Sequence, residues 1–104
     1  MDDHHQILVP DSFIALHTTR NGRPSLPRRE LIARYELCED MATTLTEHCR
    51  TIHFRDGVDE AEALRRCHQG LVAEPAVLSA AQAQWVVKRT AELLDWPMPF
   101  EDGA

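Results

Sequence analysis

Between Ser25 and Ile52 the residues Leu31, Tyr35, Cys38, Ala42, Leu45, Cys49 and Ile52 recur at alternating spacings of four and three, and that rhythm leaves little choice of secondary structure. A helix turning by about 100° per residue brings all seven onto one stripe, whereas a strand would scatter them over both faces. The spacing predicts one long helix. Ser25 is a suitable N-cap, Pro27 fits a first turn, and Gly57 after Arg55-Asp56 can take the left-handed conformation that closes the helix. At about 1.5 Å per residue it is roughly 40 Å long. Glu36, Glu39, Asp40 and Glu47 fall opposite the seam, where they are expected to form a solvated face rather than an acid–base pair.

Two shorter helices follow. Asp59 with Glu62 three positions on is an N-terminal capping pattern, and Leu64, Cys67 and Leu71 give that helix its inner stripe, with Gly70 near its end. Glu74-Pro75 breaks the chain. Ser79 and Gln82 make a capping box for a third helix that runs to about Asp95 and is stopped by Pro97. Strand patterns and internal repeats are missing. Residues 1–24 read as an apolar arm: Ile7, Leu8, Val9, Phe13, Ile14 and Leu16 are divided by Pro10, and Asp11-Ser12 can start at most one or two helical turns. The expected fold is all-α, a single domain over residues 1–104. It is a three-helix bundle with a long first helix (core 25–96), the amino-terminal arm folded across it, and a tail at 97–104.

A chain of 104 residues holds one modest core. Its formal charge of −6 argues against general binding to nucleic acid or to anionic membranes. Apolar runs are too short to span a bilayer. No leader-like segment stands at Met1–Pro10, and three cysteines, Cys38, Cys49 and Cys67, cannot all pair within one chain, so a reducing cytoplasm is the expected location. Residues 1–34 carry five arginines against four acids, net +1, and residues 35–104 carry six bases against thirteen acids, net −7. Arg20, Arg23, Arg28, Arg29 and Arg34 surround the turn-forming pair Asn21-Gly22. They are read first as a solvated collar and second as a contact for phosphate or an acidic partner.

Signatures of catalysis are scarce. The glycines are Gly22, Gly57, Gly70 and Gly103, and Lys88 is the one lysine, so there is no Gly-rich loop ending in Lys-Ser/Thr to cradle phosphates. Gly-x-Ser-x-Gly, His-Glu-x-x-His and Glu-x-x-His patterns are also missing. Cysteine chemistry is the remaining option. Cys49 and His53 lie four apart on one helical face, with His48 beside it and Cys67 on the inner stripe of the next helix. An antiparallel hairpin would bring Cys49, His53 and Cys67 together as a metal or thiol site. The competing reading makes these cysteines small core hydrophobes, with no metal, cofactor or catalytic residue. His4, His5, His17 and His68 are read as solvated or core-edge imidazoles.

On the third helix, Ala83, Val86, Val87, Ala91, Leu93 and Leu94 share the expected core face. Trp85, Arg89 and Trp96 fall together on a flank with Gln82 and Glu92. Indoles beside an arginine are residue types enriched at binding hot spots, which makes these three the candidate partner-binding residues. The indoles are read first as covered within the chain, by the arm or by the tail at Met98 and Phe100, and second as contacts for a partner protein or a second copy.

The strings VPDSFIAL (9–16), RYELCEDMATTLTEH (34–48), Gly57-Val58-x-Glu60-Ala61 and WVVKRTAELLDW (85–96) resemble a family of short proteobacterial proteins of unknown function, over nearly the whole chain. Some members carry the label "ATPase with chaperone activity", and the resemblance thereby implies a nucleotide site. From the residues themselves the expectation is a small cytoplasmic interaction or adaptor protein without catalytic activity, binding an unidentified protein or a second copy of itself. A Cys/His metal- or thiol-dependent protein and a nucleotide-linked chaperone accessory are the alternatives.

Overall fold

In a computed structural model that describes residues 8–73 and 76–98, four helices follow one another: α1 (Asp11–Leu16), α2 (Arg28–Asp56), α3 (Glu60–Val72) and α4 (Ala80–Leu94). The all-α class holds, and a single antiparallel bridge between Thr18 and Pro24 is the only β pairing among the described residues. The expectations placed on His4, His5, Ile7, Glu74-Pro75, Phe100 and Gly103 lie outside the described residues.

Local chemistry sets most helix ends. Gly57 closes α2 with φ of +66°, a conformation that costs a glycine nothing. Asp59 accepts a hydrogen bond from the Glu62 N–H at 2.8 Å at the start of α3. At the start of α4 the Ser79 hydroxyl accepts from the Gln82 N–H, and the Gln82 carbonyl oxygen accepts from the Ser79 N–H, both at 3.1 Å. This is a complete capping box. Two ends differ from expectation. The Leu31 N–H donates to the Pro27 carbonyl at 2.9 Å, which makes Pro27 the first acceptor of α2 and leaves Ser25 outside it, donating its own N–H to the His17 carbonyl at 2.7 Å. Beyond Leu94 it is Asp95, at φ of +60°, that ends α4 before Pro97 is reached. The Trp96 N–H bonds back to the Ala91 carbonyl at 2.9 Å and the Asp95 N–H to that of Glu92 at 3.1 Å, the paired closure of a Schellman motif. Gly70 lies within α3, and a Cβ added there would meet nothing within 4 Å.

The chain forms two compact units, Met1–Leu37 and Cys38–Ala104, with the boundary inside α2. In the first, Phe13 of α1 is completely buried, its ring edge-on to Tyr35 with centroids 5.7 Å apart and tilted against His17 at 5.2 Å. The loop from His17 to Ser25 doubles back through a Thr19 N–H bond to the Arg23 carbonyl (2.7 Å) and a Gly22 N–H bond to the Thr19 carbonyl (2.9 Å). The turn expected at Asn21-Gly22 forms there, with Gly22 at φ of +81°. Burial first, and the Arg34 charge second, hold the His17 imidazole below its ordinary pKa.

The second unit has its core where three helices meet: Cys49 and Ile52 from α2, Ala63, Leu64 and Cys67 from α3, and Val87 and Ala91 from α4, with Leu45, Val58, Leu71, Leu94 and Trp96 packed around them. Along the α2 seam Leu31, Cys38, Ala42, Cys49 and Ile52 are buried, while Tyr35 and Leu45 are half-buried. The buried face of α4 is broader than the apolar pattern indicates. Ala83, Val86, Val87 and Ala91 are inside as expected, but Gln82, Trp85 and Thr90 are buried with them and Leu93 is 40% exposed. Thr90 is accommodated because its hydroxyl donates to the Val86 carbonyl at 2.8 Å, so the buried oxygen keeps a partner.

Candidate functional site

Cys49 lies near the carboxyl end of α2 and Cys67 in the second half of α3, each on the inner stripe of its helix. The hairpin through Gly57 brings their sulfurs to 2.7 Å. Both thiols are buried, at 0% and 3% exposure, among Ile52, Leu64, Val87 and Ala91. Either sulfhydryl can donate to the other across this contact. That hydrogen bond, followed by burial, pushes the Cys49 thiol far up from its ordinary pKa, while the same bond pulls Cys67 down against the effect of burial. The two thiols lose their protons as a pair, the second held more tightly than the first.

His53, the third residue of the alternative metal or thiol site, does not join the pair. Its Nδ1 is 2.6 Å from the Val58 carbonyl oxygen, which as an acceptor places a proton on that nitrogen. Its ring meets Trp96 edge-on with centroids 5.2 Å apart. Among the described residues no group of three His, Cys, Asp or Glu side chains is placed to hold a metal ion. The reason is directional: the seam side chain at 49 points into the core, whereas the bond to Val58 turns the imidazole at 53 toward the α2–α3 connection.

Trp85, Arg89 and Trp96 differ from one another in burial and in what they touch. Trp85 is buried at 8% exposure. Trp96 is half-buried against the core, folded back by the left-handed turn at Asp95. Arg89 faces Glu39 in a fork: its Nε donates to Oε1 at 3.0 Å and its Nη2 to Oε2 at 3.0 Å, while Nη1 reaches Glu92 at 3.1 Å. Glu39, ahead of Glu92, drives the guanidinium further above its ordinary pKa. Glu39 is thus no member of a solvated face. It ties α2 to α4, and its pairing with Arg89 across 50 positions has no local signal in the sequence.

Surface features lie elsewhere. Leu26, Glu30, Ala33, Arg34 and Leu37 line an open depression of about 380 Å³ in the first unit. Asp40, Met41, Thr44, Leu45 and Leu71 line one of about 210 Å³ in the second. Phe54, Leu8 and Val77 are the most exposed large apolar side chains among the described residues. No helix among the described residues is long and apolar enough to cross a membrane. Comparison of the chain with family models, with curated proteins and with solved structures finds no match.

Proposed function

We propose that the protein is a cytoplasmic interaction module without catalytic activity, which seats apolar side chains of a partner protein in the depression on the first turns of α2. The observation that carries this reading is the composition of that depression. Leu26, Ala33 and Leu37 make most of its lining apolar, Glu30 and Arg34 add one charge of each sign, and Leu37 is 37% exposed. An apolar centre with a charged rim is the anatomy of a protein-binding patch. The net charge of −6 favours a protein over a nucleic acid as the occupant. The scaffold in this reading is a three-helix bundle of α2, α3 and α4 with the apolar arm of residues 1–24 before it. Convergence of Ile52, Leu64 and Val87 from three helices on one core supports that arrangement.

The test is comparative affinity capture with the full chain and its Leu37→Arg variant, far-ultraviolet circular dichroism confirming that both are folded. Proteins retained by the wild type and lost from the variant are the expected result. Identical capture by both, or no capture by either, overturns the reading. The nucleotide-linked alternative is separated by turnover: the protein is expected not to hydrolyse ATP, because it offers no phosphate-binding loop. Activity that survives repeated purification and disappears on a point mutation in this chain overturns that expectation. The contact of Cys49 with Cys67 favours, as a second reading, a thiol-dependent protein.

A further inference from the structure

Two thiols from different helices, buried together in an apolar core, are an unusual use of cysteine, because a core hydrophobe needs no partner of its own kind. Their sulfurs are 2.7 Å apart, well inside ordinary non-bonded contact and within easy reach of the roughly 2.05 Å of a disulfide bond. With no third ligand beside them among the described residues, the chemistry open to two adjoining sulfurs is that of the sulfurs themselves. We propose that Cys49 and Cys67 are a redox pair, two thiols in the reduced protein that hydrogen peroxide converts to a disulfide joining α2 to α3. The proposal is independent of the docking surface on α2.

The oxidant class follows from burial. At 0% and 3% exposure the sulfurs are closed to a bulky disulfide such as oxidised glutathione, but a small neutral peroxide can reach them through local opening. Cys67 is the more exposed of the two, so its thiolate attacks. It forms a bond to one peroxide oxygen as the O–O bond breaks; the departing hydroxide takes up a proton and leaves as water, and Cys67 becomes a sulfenic acid. The Cys49 sulfur then attacks the Cys67 sulfur. The S–S bond forms, the S–O bond breaks, and the hydroxide leaves as water with the Cys49 proton. In sum two thiols and one hydrogen peroxide give one disulfide and two waters, the sulfurs losing two electrons and the peroxide oxygens gaining them. A dithiol reductant reverses the change by exchange. Cys38, buried in its own place on the seam, is not part of the reaction.

The experiment uses the full wild-type chain, so that no substitution puts folding at risk. Denaturing alkylation counts the free thiols before and after exposure to a small excess of hydrogen peroxide, and mass spectrometry of the digested, unreduced protein identifies any crosslinked peptides. Three alkylatable thiols should fall to one, Cys38, with the intact mass lower by two hydrogens and the peptides of Cys49 and Cys67 joined. Dithiothreitol should restore all three. Retention of three thiols, a crosslink that uses Cys38, or accumulation of sulfinic acid at Cys67 without a crosslink would each overturn the proposal. As a second measurement, Cys38→Ser should form the same crosslink; its failure to do so in the folded variant would count equally against the pair.

Discussion

Replacing Leu64 with alanine is expected to destabilise the second unit by about 3 kcal/mol, within the range of about 2–5 kcal/mol for truncation of a buried leucine. Leu64 has no exposed surface and belongs to the cluster that joins α2, α3 and α4. The cost combines the lost transfer of its methyl groups with the cavity left behind. Denaturant unfolding followed by tryptophan emission is the natural measurement, since both indoles belong to this unit. A midpoint unchanged, or a cost under about 1 kcal/mol, would mean that the three helices do not share this core.

Phe13→Ala is expected to have an effect of similar size on the first unit, about 3 kcal/mol or more. The short α1 is only six residues long, lacks a side-chain N-cap and has no intrinsic reason to persist in isolation. What holds it is the phenyl ring, fully buried and set edge-on against Tyr35. Amide hydrogen exchange reads the loss directly. The N–H groups of His17, Thr19, Gly22 and Ser25 are tied into the loop by backbone bonds, and they should exchange about a hundredfold faster in the variant. Phe13→Leu, which keeps most of the apolar volume, should lie between. Unchanged exchange at these four amides would show that the loop is held by its own turns instead of by the ring.

What the sequence discloses here, and what it withholds, divides by range. The capping pairs Asp59/Glu62 and Ser79/Gln82 are legible because donor and acceptor lie three residues apart and the geometry of a helix start is the same everywhere. The α2 seam is legible for a related reason, since a repeat of four and three has one structural solution. Burial of Trp85 in place of Leu93 was not legible: an apolar pattern gives the width of a helix face only by assuming where its neighbours lie, and Leu93 falls in the last turn of α4, beside the Asp95 closure. The Arg89–Glu39 fork was hidden for a different reason. Charge patterning speaks to partners three or four positions away, as with Arg89 and Glu92, and not to a carboxylate 50 positions earlier. For the candidate site, the convergence of Cys49 and Cys67 follows from two inner stripes and an intervening turn, both readable. The absence of His53 from that pair turns on one hydrogen bond to the Val58 carbonyl, a main-chain acceptor that no side-chain spacing announces.

Gly70 bears on how the core exchanges with its surroundings. A glycine in a helix weakens it by about 1 kcal/mol relative to alanine, and here no steric demand requires one, since a methyl group would fit. In an α-helix the N–H of residue 71 returns to the carbonyl of residue 67, so fraying of the α3 terminus at Gly70 frees the backbone at Cys67. A weakening of about 1 kcal/mol corresponds to roughly a fivefold larger frayed population. The glycine thus makes the last turn of α3 easier to open than alanine would, at the end of the helix nearer Cys67.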